Sequence, residues 1–223
     1  MNGSVESALG LLFPQRLCCH GCGSVLLSDE GFLCGRCQSA LNRCALKRRE
    51  EERLFKGEQL LAASAYVYGG MAADLAQALK YGSDRAAAEP LALGMARRFT
   101  LMPALHGAEV CVAVPSYPRQ AQRRGYAQAQ VLCEAFTALT GLPQAPQALR
   151  RVRYAKSQVG MGREERKRQI VGAFAADHVQ AVSDRRVLLI DDVLTTGATV
   201  CECARVLYAA GARRVLALTA CRA

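Results

Sequence analysis

Tryptophan is absent from the 223 residues and histidine occurs three times. Acidic residues are outnumbered as well, 19 Asp and Glu against 29 Lys and Arg, which leaves a formal net charge of +10. Long apolar runs are missing: no stretch approaches the roughly 20 residues of a membrane-spanning helix. The start, Met1 to Gly10, lacks the basic residues of a secretory signal, and Leu11 to Phe13 is too short for its apolar core. Neither G-x-x-x-x-G-K-[ST] nor G-x-G-x-x-G occurs, which excludes the two commonest phosphate-loop architectures. With 51% hydrophobic and 22% charged residues the chain can bury a core, so wholesale disorder is excluded too. These absences leave a soluble, cytoplasmic protein without membrane insertion, whose basic surface suits nucleic acid or phosphorylated ligands.

Cysteine, by contrast, is plentiful. Eleven thiols, an odd number in a chain of this length, argue against a disulfide scaffold and for a reducing compartment. Cys111, Cys133, Cys201, Cys203 and Cys221 are scattered through apolar segments and read as small core residues. The other six, Cys18, Cys19, Cys22, Cys34, Cys37 and Cys44, crowd the first fifth of the chain. Cys19-His20-Gly21-Cys22 and Cys34-Gly35-Arg36-Cys37 are two Cys-x2-Cys pairs, and each tight turn can aim two sulfurs at one ion. We expect Cys19, Cys22, Cys34 and Cys37 to hold a structural Zn²⁺, with redox chemistry as the competing use of such pairs. Cys18 competes with Cys19 for register, Cys44 is surplus, and His20 reads as a turn residue rather than a ligand. So short a lobe cannot bury enough apolar surface alone and should be largely unfolded without metal.

Residues 4 to 13 read as a short helix. The charged run Ala45 to Arg53 reads as a connector, so the expected organisation is an N-terminal helix and zinc ribbon over 1–45, a connector over 46–58 and a larger domain over 59–223. In the larger domain the apolar pattern alternates between strands and helices. Strands are expected over Leu60 to Tyr68, Val110 to Val114, Val187 to Ile190 and Val215 to Leu218. Helices are expected over Met71 to Lys80, Ala86 to Phe99, Gln128 to Leu139 and Ala198 to Ala210. Buried strands alternating with helices of about a dozen residues predict an α/β fold with a mainly parallel sheet.

The most informative stretch is Val187-Leu188-Leu189-Ile190-Asp191-Asp192-Val193-Leu194-Thr195-Thr196-Gly197-Ala198-Thr199. A buried strand delivers two adjacent carboxylates to the end where open α/β sheets bind ligands. A Thr/Gly loop then opens a helix, and its amides, hydroxyls and N-terminal dipole form an anion cradle. Acids for hydroxyls beside a cradle for phosphate describe a sugar-phosphate site; the competing reading is an Asp pair that caps the next helix.

This stretch closely resembles the 5-phosphoribosyl-1-pyrophosphate (PRPP) motif of type I phosphoribosyltransferases. That resemblance implies a type I phosphoribosyltransferase-like fold. It implies that Asp191 and Asp192 hold the ribose hydroxyls, directly or around Mg²⁺, and that Thr195, Thr196, Gly197, Ala198 and Thr199 wrap the 5′-phosphate. Leu79-Lys80-Tyr81, Val114-Pro115, Arg123-Arg124-Gly125-Tyr126, Ser157-Gln158, Arg168-Gln169 and Gly172-Ala173-Phe174 accompany the motif and the zinc ribbon. Together they resemble the ComF family over essentially the full chain, a family associated with DNA uptake and natural transformation. Its members usually have Phe-Asn where this chain has Tyr126-Ala127.

Between Pro115 and Ile170, eleven cations face three acids, a local charge of +8. Arg119, Arg123, Arg124 and Lys156 could bind a pyrophosphate leaving group or DNA phosphates, and Arg163 to Arg168 fit a solvated helix face equally well. Tyr117, Tyr126 and Tyr154 are available to stack unpaired bases. Two functions follow. One is a DNA-uptake accessory protein that binds PRPP or a related sugar phosphate and single-stranded DNA, with competence-machinery proteins as partners. The other is an active PRPP-dependent transferase on a small acceptor. No residue has a good claim to be a general base, so the catalytic set stays unassigned.

Overall fold

A computed structural model describes residues 18–26, 31–46, 60–81, 84–153 and 170–223. The expected helix over 4–13, most of the connector, Tyr154, Lys156 and Arg163 to Arg168 lie outside the described residues.

Apolar runs in which both faces are hydrophobic can only be satisfied in a sheet covered on both sides. The chain builds one from β1 (Leu61–Val67), β2 (Val110–Ala113), β5 (Arg186–Leu194) and β6 (Arg214–Arg222), in the order β1-β6-β5-β2 with every neighbour parallel. The connections run through α2 (Gly70–Tyr81), α3 (Ala88–Leu101), α5 (Gln128–Thr140) and α6 (Ala198–Ala209). Helix α3 packs on β1 and β6, α5 on β2 and β5, and the two helices pack on each other. Phe99 meets Phe136 edge to face there, with centroids 5.7 Å apart. Four of the five scattered cysteines are buried in this core and Cys201 is half-buried.

Strands β5 and β6 outrun their apolar cores. Pairing continues through Asp191↔Thr219 and Val193↔Cys221, so the two carboxylates belong to the strand rather than to the loop after it. Thr219 in turn pairs with Ser64 of β1, and their buried hydroxyls lie 2.7 Å apart. Two helices and a strand pair were not foreseen. Helix α1 (Gly35–Arg43) grows out of the second cysteine knuckle. Helix α4 (Pro118–Arg124) begins on proline and stops at Gly125, whose φ of 81° suits glycine. A separate antiparallel pair joins β3 (Leu149–Arg151) to β4 (Phe174–Ala176).

The four-cysteine lobe shares the core of the sheet unit: Cys19, Leu26, Leu33, Cys37 and Leu41 belong to the same contiguous buried cluster as the strands. Its exit segment also pairs with the free edge of β1, through Val67 N–H to the Cys44 carbonyl (2.8 Å) and Leu46 N–H to the Ala65 carbonyl (3.0 Å). That pairing covers an edge that would otherwise present unpaired amides.

Candidate functional site: a two-carboxylate cavity and a four-cysteine cluster

A cavity of about 450 Å³ opens at the C-terminal ends of the strands, and Asp191, Asp192, Thr195 and Thr199 all line it. Asp191 Oδ1 accepts the Asp192 amide (2.9 Å), Asp192 Oδ1 accepts the Val193 amide (2.8 Å), and Gln128 Nε2 donates to Asp192 Oδ2 at 3.4 Å. Crowding by protein and then the neighbouring Asp192 charge push the Asp191 carboxyl well above the usual carboxylate range. A divalent cation would relieve that repulsion, and two carboxylates are the hard oxygen donors that Mg²⁺ takes.

Past the strand, Gly197 adopts φ 75° at the N-cap of α6, a turn that an L side chain would strain. The Thr196 hydroxyl accepts the Ala198 amide at 3.3 Å, so that amide is already engaged within the loop. Thr196, Gly197 and Ala198 are not among the cavity-lining residues, whereas Thr195 and Thr199 are.

The expected arginines stand farther out. Arg119 and Arg123 are exposed on α4, and Arg124 donates to Gln128 Oε1 at 2.7 Å, reaching Asp192 only through that glutamine. None of the three lines the cavity. Among the described residues its cations are instead Lys80, from the last turn of α2, and Arg151 of β3. The Arg151 guanidinium carbon lies 3.5 Å from the centroid of Tyr117 and 5.1 Å from that of Phe174; its Nε has no hydrogen-bond partner among the described residues, and burial lowers its pKa. Strand alternation separates it from Arg150, which pairs with Asp177 at 2.7 Å. Because β3 was not foreseen, sequence reading had no means of telling these two arginines apart. Tyr126 is also committed, its hydroxyl donating to the Leu79 carbonyl at 2.8 Å.

The sulfurs of Cys19, Cys22, Cys34 and Cys37 all lie within 4.8 Å of one another. Cys22 and Cys34 are 3.8 Å apart, which matches the edge of a tetrahedron of about 3.8 Å generated by Zn–S bonds of about 2.3 Å. Cys19 Sγ accepts the amides of Gly21 (3.4 Å) and Cys34 (3.3 Å). The Cys22 thiol is lowered to about 6, first by the Ser24 hydroxyl 2.8 Å away, whereas burial pushes Cys37 up. This donor set fits a metal ion such as zinc. Cys18 is exposed outside the cluster and bridges Val25, which settles the register in favour of Cys19. Cys44 donates to the Gly69 carbonyl at 3.2 Å.

No protein-family model matches the chain. Among curated proteins it is 34% identical over 128 residues to DNA utilization protein YhgH of Salmonella typhi, covering 57% of this chain and 54% of that protein. It is 32% identical over 108 residues to competence protein F of Haemophilus influenzae, covering 48% of this chain and 47% of that one. The chain thus spans about half the length of the curated relatives it matches. Solved structures with a similar fold include glutamine PRPP amidotransferase of B. subtilis (20% identity, 61% of this chain, 26% of that one, TM-score 0.42). Adenine phosphoribosyltransferase of Leishmania tarentolae is another (14% identity, 67% of this chain, 75% of that one, TM-score 0.38). Over the matched half, the chain is similar to the DNA utilization and competence proteins.

Proposed function

We propose that this chain is a ComF-type accessory protein of DNA uptake and natural transformation. In this reading it works in the cytoplasm, binds a PRPP-like sugar phosphate with Mg²⁺ in the cavity and takes single-stranded DNA on its basic surface. Asp191 and Asp192 would hold the ribose hydroxyls or the metal, and Thr195 and Thr199 would face the 5′-phosphate. The observation that carries the sugar-phosphate half is the meeting of two strand-end carboxylates with the threonine loop in one cavity. The names of the relatives support the DNA half. Exposed Arg119 and Arg123 supply cations there, and partner proteins of the competence machinery fit the same role. The four-cysteine lobe binds Zn²⁺, and the division 1–45, 46–58 and 59–223 is retained. Among the described residues no helix is long and apolar enough to cross a membrane.

The second reading, an active PRPP-dependent transferase, draws on Lys80 and Arg151, two cations that share the cavity with the carboxylates and could stabilise departing pyrophosphate. Incubation with Mg·PRPP and candidate acceptors separates the readings: pyrophosphate release above background selects the enzyme, and saturable binding without release selects the accessory protein. For DNA, the log of the affinity for an oligothymidylate should fall linearly with log salt and drop in Arg123→Ala; a flat salt response would remove DNA from the proposal.

A further inference from the structure

Lys80 reaches the cavity from the last turn of α2, so whatever fixes that turn also fixes the ammonium. Helix ends leave carbonyls to be satisfied from outside. Here the Leu79 carbonyl takes the Tyr126 hydroxyl at 2.8 Å and the Ala78 carbonyl takes the Asp84 amide at 3.4 Å. Asp84 then spends both carboxylate oxygens elsewhere. Oδ1 accepts the amides of Ala86 and Ala87 at 3.0 and 3.3 Å, opening the 3-10 turn over Arg85–Ala87, and Oδ2 pairs with His20 Nδ1 at 2.9 Å. His20 sits between Cys19 and Cys22, with its side chain only 14% exposed.

The start of α2 is gripped from the same lobe. The Cys44 thiol donates to the Gly69 carbonyl at 3.2 Å, and Gly21 approaches Met71 so closely that an added Cβ would stand 2.8 Å from the methionine sulfur. Between these two anchors lie Ala76 and Lys80, both lining the cavity. The cysteine-rich lobe therefore holds both ends of the helix that forms one wall of the site.

We propose that His20 and Asp84 are positioning residues for this cavity. Through them the four-cysteine lobe sets where the Lys80 ammonium stands, so that the state of the lobe is read out as affinity for an oxyanion ligand. This rests on the sugar-phosphate reading above. A bystander lobe would stabilise the chain without altering ligand affinity, and an interaction transmitted through one helix end should be non-additive with loss of the lysine it places.

The test uses the full-length, metal-loaded protein and titrates Mg·PRPP calorimetrically. Asp84→Asn should weaken binding roughly 3- to 10-fold in the wild-type background and cause no further loss in Lys80→Ala. His20→Ala should match Asp84→Asn, whereas His20→Asn, whose amide can still donate to Asp84, should recover most of the affinity. Equal losses from Asp84→Asn in both backgrounds would overturn the proposal, because the aspartate would then act independently of Lys80. Hydrogen exchange gives a readout without ligand: Asp84→Asn should speed exchange in the last turn of α2 and leave α5 unchanged. If the wild type binds no Mg·PRPP, the sugar-phosphate reading falls; faster exchange would still establish the brace, and unchanged exchange would overturn it as well.

Discussion

Asp191 is a residue the fold keeps at a cost. Its carboxyl is half-buried in a row with Thr219 and Ser64, one step beyond the buried run Val187 to Ile190, and faces the charge of Asp192. Because its folded-state pKa is raised above the unfolded value, the folded protein binds the extra proton in the window between the two. Its contribution to stability therefore falls as pH rises from the ordinary carboxylate range through the raised value. Thermal scans from about pH 5 to about pH 8 should show the melting temperature of Asp191→Asn drawing level with or passing the wild type as pH rises. A variant that melts progressively lower than wild type with rising pH would show that the ionised carboxylate stabilises the fold. Glu202 has the opposite sign. Arg205 first, and the Gly172 amide at 2.7 Å as well, hold its carboxyl below the usual range, so its contribution is present at neutral pH and lost as pH falls through the lowered value. Glu202→Ala should cost about 1–3 kcal/mol in denaturant titrations at neutral pH, since it leaves a half-buried amide without its acceptor.

At the scale of elements, Gly94 decides how closely α3 lies on the sheet. A Cβ there would run into the hydroxyl end of Tyr66, a buried residue of β1. Gly94→Ala should destabilise by roughly 1–3 kcal/mol, and Tyr66→Phe should not rescue it, because the ring carbons Cζ and Cε2 would still collide with the new Cβ. Strand and helix identities in this unit were legible because their signals are local: Val187 to Ile190 and Val215 to Leu218 are apolar on both faces, and α5 ends at Gly141 with φ 73°. Beginnings and ends were less so. Arg186 and Leu194 are in β5 because β6 pairs with them, and pairing partners far apart in sequence leave no mark on a single strand. The pair β3 and β4 was illegible for a related reason. Three residues are too few to show alternation, so Arg150 and Arg151 looked alike although one turns to Asp177 and the other to the cavity.

At the scale of the whole molecule, the described residues share one apolar core, which the cysteine-rich lobe helps to complete. The four-cysteine cluster was legible because the Cys-x2-Cys spacing is a local geometric requirement, and the clustered sulfurs are the four named from it. That the lobe docks on α2 and on the edge of β1 was not, because His20, Met71 and Cys44 acquire those roles only through partners many residues away. Since Leu33, Cys37 and Leu41 are buried in the shared core, Cys37→Ser should do more than lose a ligand. We expect metal content to fall and the whole unit to lose more than ~2 kcal/mol in one cooperative transition, measured by elemental analysis and chemical unfolding. Two separate transitions, with the sheet unit melting as in the wild type, would show that the lobe folds apart from it.

The central claim is that Asp191, Asp192 and the threonine loop form a sugar-phosphate site, and a calorimetric titration of Mg·PRPP into the metal-loaded protein tests it most directly. The account predicts one saturable site in the wild type, lost in the folded Asp191→Asn, Asp192→Asn double variant and weakened when ribose 5-phosphate replaces PRPP. Unchanged PRPP binding by the double variant would contradict it.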